Sequence, residues 1–104
     1  MSKFNPDPNG VGAVAEMGTT QVFTVTTSSV QSSVFVANTT MIRLSCTQGH
    51  CHFAIGTNPT ASITTSPIMP ANCIEYVKAS AGERIAFIKD AGVTTSTISV
   101  TQLI

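Results

Sequence analysis

The chain has 104 residues, enough for one domain, and Lys, Arg, Asp and Glu make up only 10% of it, with a formal net charge of zero. Its five cations, Lys3, Arg43, Lys78, Arg84 and Lys89, are scattered singly, which excludes a nucleic acid held by clustered charge and counterion release. A hydrophobic content of 42% excludes intrinsic disorder, and no apolar run reaches the roughly 20 residues of a membrane span.

Residues 1–20 differ from the remainder. Asn5-Pro6-Asp7-Pro8-Asn9-Gly10 holds neither a helix nor a central strand, because each Pro lacks a donor and restricts the residue before it. The stretch 11–17, bounded by Gly18 and containing Gly12, is too short to stand alone as a helix in water. This segment reads as an extended N-terminal arm that needs a partner surface to order it. It has no apolar segment of the signal-peptide kind, so synthesis in the cytoplasm is expected.

From Gln21 the pattern turns to alternation, and residues 21–104 are read as one β-sandwich domain. Phe23 and Val25 face one way, with Gln21, Thr24 and Thr26 as the polar remainder. A Ser-rich turn leads to a second short run at 34–37. Asn38-Thr39-Thr40 matches a glycosylation sequon, but without a secretory signal it reads as a polar turn. In the third run Ile42, Leu44 and Cys46 alternate with Met41, Arg43 and Ser45, and Gln48-Gly49 turns the chain into Cys51, Phe53 and Ile55; the spacing predicts a hairpin. Residues 57–70, rich in Thr, Ser and Pro, read as a long loop or a poor edge strand. Strands resume at 73–78, where Ile74 and Tyr76 share a face, at 85–89 with Ile85 and Phe87, and at 97–103 with Ile98 and Val100 pointing in. About seven strands separated by turn signals predict an all-β fold, a single antiparallel sandwich of jelly-roll type.

Ligand-type residues gather in one place, Cys46-Thr47-Gln48-Gly49-His50-Cys51-His52. Cys46, His50, Cys51 and His52 are the candidate metal ligands, since zinc accepts these donors in a tetrahedron. Their spacing matches no paired-Cys or Cys/His finger, and Cys51 and His52 point to opposite faces of any strand that carries both. The expectation is therefore no metal and no cofactor, with the cysteines as small apolar core or interface residues; whether Cys46 and Cys51 pair stays open. Cys51 and His52, diverging, make no nucleophile and base dyad. The acids Asp7, Glu16, Glu75, Glu83 and Asp90 show no acid/base pairing, so no enzyme is expected. With no Trp and one Tyr the chain also offers little for stacking against a sugar.

The phrases Arg43-Leu44, Cys51-His52-Phe53-Ala54-Ile55-Gly56-Thr57-Asn58-Pro59-Thr60-Ala61, Met69-Pro70-Ala71, Gly82-Glu83-Arg84-Ile85-Ala86 and Ser99-Val100-Thr101, in that order, resemble small β-sandwich virion proteins of tailed bacteriophages, the kind that decorate or cement capsids. The resemblance covers about the last two-thirds of the chain. It implies a non-catalytic structural protein in the virion, a homo-oligomer with a trimer favoured, whose partner is the major capsid protein; no ligand or catalytic residue carries over. A tail or fibre accessory protein, and a small metal-binding module built on the Cys46, His50, Cys51 and His52 segment, stand as alternatives.

Overall fold

The computed structural model describes residues 17–104, and the arm up to residue 16 lies outside the described residues. These residues form eight strands and no helix. The front sheet holds β1 (Met17–Val25), β3 (Met41–Gln48), β6 (Cys73–Lys78) and β8 (Ser96–Leu103), in the order β1-β8-β3-β6. The back sheet holds β2 (Val30–Gln31), β4 (Cys51–Gly56), β5 (Ile68–Met69) and β7 (Arg84–Lys89), in the order β2-β7-β4-β5. First pairs with last, second with seventh, third with sixth and fourth with fifth, all antiparallel. A long hairpin rolled on itself in this way is an eight-stranded jelly roll.

The core lies between the sheets and is supplied by alternation. Ile42, Leu44 and Cys46 come from β3 and Ile98 and Val100 from β8; Cys51 and Phe53 come from β4 and Ile85 and Phe87 from β7. Phe23 crosses from the front sheet to meet Phe87 with ring centroids 5.6 Å apart and planes tilted at 49°, an arrangement aromatic pairs favour. Met69 of β5 closes the far side.

Three expectations are corrected. The strand expected from Gln21 begins at Met17, so residues 17–20 belong to the front sheet. Gln21 sits on the inward parity of Phe23 and Val25, and its Oε1 accepts from the Ser33 N–H at 3.0 Å. The run 34–37 is not a strand: the ladder beside β7 stops after Gln31 because the Ser32 hydroxyl accepts from the Ile85 N–H (3.0 Å) and Gln102 Oε1 accepts from the Val36 N–H (2.9 Å). These side-chain bonds interleave with backbone ones, from the Ser32 N–H to the Ile85 carbonyl and from the Phe35 N–H to the Glu83 carbonyl, both at 2.8 Å, and Phe35 alone enters the core while Val34 and Val36 stay exposed.

The third correction has the largest effect. β3 and β4 do not form a hairpin; Gly49 and His50 carry the chain out of the front sheet and into the back one. Gly49 has a φ of 70°, in the left-handed region that L side chains avoid, and a Cβ there would run into the Thr95 carbonyl oxygen and come within 2.7 Å of Val93 Cγ1. Gly49→Ala should therefore cost about 2–5 kcal/mol by adding a clash to the left-handed penalty. Gly82→Ala, at φ 86° with open space around the new methyl, should cost only about 1–2 kcal/mol. Urea denaturation of the two variants measures the difference, and equal losses would contradict the packing argument.

Candidate functional site

The four candidate ligands divide between three environments. Cys46 points into the core from β3 and Cys51 from β4, so the switch between sheets brings the two thiols against each other from opposite walls of the sandwich. The Cys46 thiol donates to the Gly49 carbonyl oxygen at 3.0 Å, and the Ser96 hydroxyl donates to the same oxygen at 3.0 Å. Burial raises the Cys46 pKa, and burial with the neighbouring Cys46 pushes the Cys51 thiol up to about 12. Both are held as neutral thiols while the core stays closed, the form that disfavours metal binding. His50 is exposed on the turn, where its Nδ1 accepts from the Ala71 N–H at 3.3 Å.

His52 leaves β4 on the opposite face from Cys51, as strand parity requires, yet it is buried. The loop before β5 covers it. Its Nδ1 donates to the Ser66 carbonyl oxygen at 2.9 Å and its Nε2 to Asp90 Oδ1 at 2.8 Å. Both partners are acceptors, so both contacts are made only when the ring carries two protons. Burial works against that charge, but the Ser66 carbonyl and the Asp90 carboxylate outweigh it and raise the His52 pKa; the His52 hydrogen bond in turn lowers that of Asp90. Among the described residues no group of three or more His, Cys, Asp and Glu is placed to hold a metal ion.

The other notable surface is the outer face of the front sheet. Cross-strand partners share a face, and the register builds three rows across the four strands: Met17, Leu103, Met41 and Lys78; Thr20, Thr101, Arg43 and Tyr76; Val22, Ser99, Ser45 and Ile74. Val22 is 69% exposed, Tyr76 58% and Ile74 52%, with Met17 and Met41 also exposed at the end of the sheet. Serine and threonine fill the middle, where Thr20 and Thr101 join hydroxyls at 2.8 Å. Arg43 and Lys78 are its charges, and these rows hold no acid, because Glu75 is paired with Leu44 on the other parity.

No family model matches the chain, and no curated protein matches it. Among solved structures the chain is similar to hydroxypropylphosphonic acid epoxidase from S. wedmorenis in complex with fosfomycin, with 17% sequence identity and a TM-score of 0.52 over 80% of this chain and 42% of that one. The chain thus spans less than half of that protein's length, and at this identity the likeness is one of fold, which different activities share.

Sequence reasoning missed two partnerships. Asp90 was an isolated turn acid 38 positions from His52, and nothing local signals that the β7 to β8 turn reaches over β4. Cys73 lies directly opposite Cys46 across β6 and β3, a pairing that follows only once the register is known.

The His52 and Asp90 pair makes stability depend on pH in a defined sense. A raised histidine stabilises fully below its unfolded value of about 6.5, and that contribution disappears as pH rises through the folded pKa; a depressed carboxyl stabilises above its unfolded value of about 3.8 and loses this as pH falls through its folded pKa. The pair therefore contributes most between these two unfolded values. In an NMR titration His52 should titrate above 6.5, and Asp90→Asn should bring it down; an unchanged His52 titration would contradict the contact.

Proposed function

We propose that this protein is a virion structural subunit, a capsid decoration protein that attaches to the major capsid protein as a homo-oligomer, with a trimer favoured, and has a binding rather than a catalytic role. The observation that carries the reading is the outer face of the front sheet, an ordered lattice with exposed valine, isoleucine, tyrosine and methionine around hydroxyls. Large apolar side chains held in water on a rigid sheet mark an interaction surface. The phrase order along the chain supports the phage assignment, and the low charge supports an assembled rather than a solitary protein.

The size of the face bears on how it would bind. Twelve positions, of which Thr101 and Leu103 are buried, cover at most about 390 Å² at a two-residue rise and one strand spacing each. A stable interface buries about 800 Å² per partner, so one face alone binds weakly. Linked copies on a repeating shell convert weak single contacts into firm attachment, which is the condition a decoration protein meets. The two cations on the face, Arg43 and Lys78, favour a partner surface carrying carboxylates.

Three experiments test this. Quantitative mass spectrometry of purified source particles should find hundreds of copies per particle relative to the major capsid protein; a handful would move the protein to the tail, and none would overturn the virion reading. Val22→Asp with Tyr76→Asp, both on exposed positions, should reduce occupancy on undecorated particles more than tenfold while moving the melting temperature by only a few degrees. Deletion of residues 2–16, which spares β1, should likewise lower occupancy while leaving the sandwich folded.

A further inference from the structure

The register places one cysteine on the open edge of the front sheet directly opposite another in its interior. Cys73 begins β6 and is exposed; Cys46, its cross-strand partner on β3, is buried. Direct antiparallel partners project to the same face with Cα atoms about 4.5–5.5 Å apart, inside the window of about 4.4–6.8 Å that a disulfide spans. Among the described residues β6 is paired on one side only, so it can shift to let the bond close without disturbing a second described strand.

We propose that Cys73 and Cys46 form an oxidant-accepting dithiol, with Cys73 the entry thiol and Cys46 the resolving one, and that a low-molecular-weight disulfide is the substrate class. The Cys73 thiolate attacks one sulfur of the small disulfide, whose S–S bond breaks to release one small thiol and leave a mixed disulfide on Cys73. Cys46 then attacks the Cys73 sulfur, forming the Cys46 to Cys73 bond and expelling the second small thiol, which leaves with the proton from Cys46. Two protein thiols are oxidised and one small disulfide is reduced to two thiols, so atoms and electrons balance.

Three observations fit this order of events. Exposure lets only Cys73 meet a solute, since Cys46 and Cys51 are both buried. The Gly49 carbonyl oxygen does not lose its last donor when Cys46 turns away, because the Ser96 hydroxyl remains on it at 3.0 Å. Cys51, whose thiol also meets that of Cys46, lies on the opposing sheet and is buried, whereas Cys46 and Cys73 are direct neighbours in one sheet and Cys73 is exposed. The bond would tie the free edge strand to β3. This inference stands apart from the assembly reading and survives its failure.

The test is incubation of the full chain with oxidised glutathione, alkylation of the remaining thiols, and intact mass. The wild type should pass through a transient glutathione adduct and end as a monomer with one alkylatable cysteine in place of three. Cys51→Ser should end with none. Cys73→Ser, altered only at an exposed position and so expected to keep its fold, should retain both thiols, and Cys46→Ser should stop at the mixed disulfide. A covalent dimer, a lasting adduct on the wild type, three surviving thiols, or loss of both thiols in Cys73→Ser would each overturn the proposal. The oxidised wild type should also melt at a higher temperature than the reduced protein, and Cys73→Ser should show no such difference.

Discussion

The Gly49 carbonyl oxygen accepts one hydrogen bond from the Cys46 thiol and another from the Ser96 hydroxyl, at the point where the chain leaves one sheet for the other. The rolled topology depends on that crossing. If residues 41–56 closed as a hairpin within one sheet, β4 would lie beside β3, β5 would have no strand to pair with, and β7 would keep only the two residues of β2. The left-handed backbone of Gly49, packed under Thr95 and Val93, makes the turn sharp enough that a core residue on either side of it, Cys46 and Cys51, faces the same interior from opposite walls. The same crossing sends His52 to the outside of the back sheet, where the loop before β5 and the turn after β7 close over it.

Much of the fold was legible in the sequence because inward and outward positions alternate with a period of two. That alternation puts Ile98 and Val100 inside and sets Ile42 with Leu44, and Ile85 with Phe87, on shared parities of their strands; all six are buried. Alternation reports which side of a sheet a residue occupies and carries no information on which sheet, so the arch at Gly49 read as a hairpin. It also fails where side chains take over the ladder: Ser32 and Gln102 break up the segment around Phe35, and both act on residues more than 50 positions away. The candidate cluster was half legible. Opposite projection of Cys51 and His52 follows from parity, but the partners Asp90 and Cys73 come from strands whose register no local pattern contains.

The two sides of the molecule differ in how they treat polar groups. The back sheet's outer surface is roofed by loops, with Gln31 Nε2 tied to Asn58 Oδ1 (2.9 Å) and the Pro59 carbonyl (2.8 Å) and His52 tied to Ser66. The front sheet has no comparable roof among the described residues, and it is this face that presents apolar side chains between short hydroxyls. Among the described residues every buried side-chain nitrogen and oxygen has a partner, so the interior is settled and the surface that remains unsettled is the front one. A jelly roll supports catalytic and structural proteins alike, and the distinction rests on what such surfaces carry.

Among the described residues nothing pairs with the outer edge of β6, whose backbone donors and acceptors line the edge of the front sheet. Two copies of such a strand related by a two-fold axis through the sheet can pair only in registers that put like-facing residues opposite one another. The register that joins Ile74 to Tyr76 of the second copy, the best hydrophobic match, also sets Glu75 against its own equivalent, and like charges directly opposed weaken strand pairing. Of the two neighbouring registers, one opposes Ile74 to Lys78, and the other sets Ile74 against itself but overlaps the strands only over residues 73–75. A single carboxylate in the middle of Cys73-Ile74-Glu75-Tyr76-Val77-Lys78 therefore guards an otherwise adhesive edge against edge-to-edge pairing of sheets.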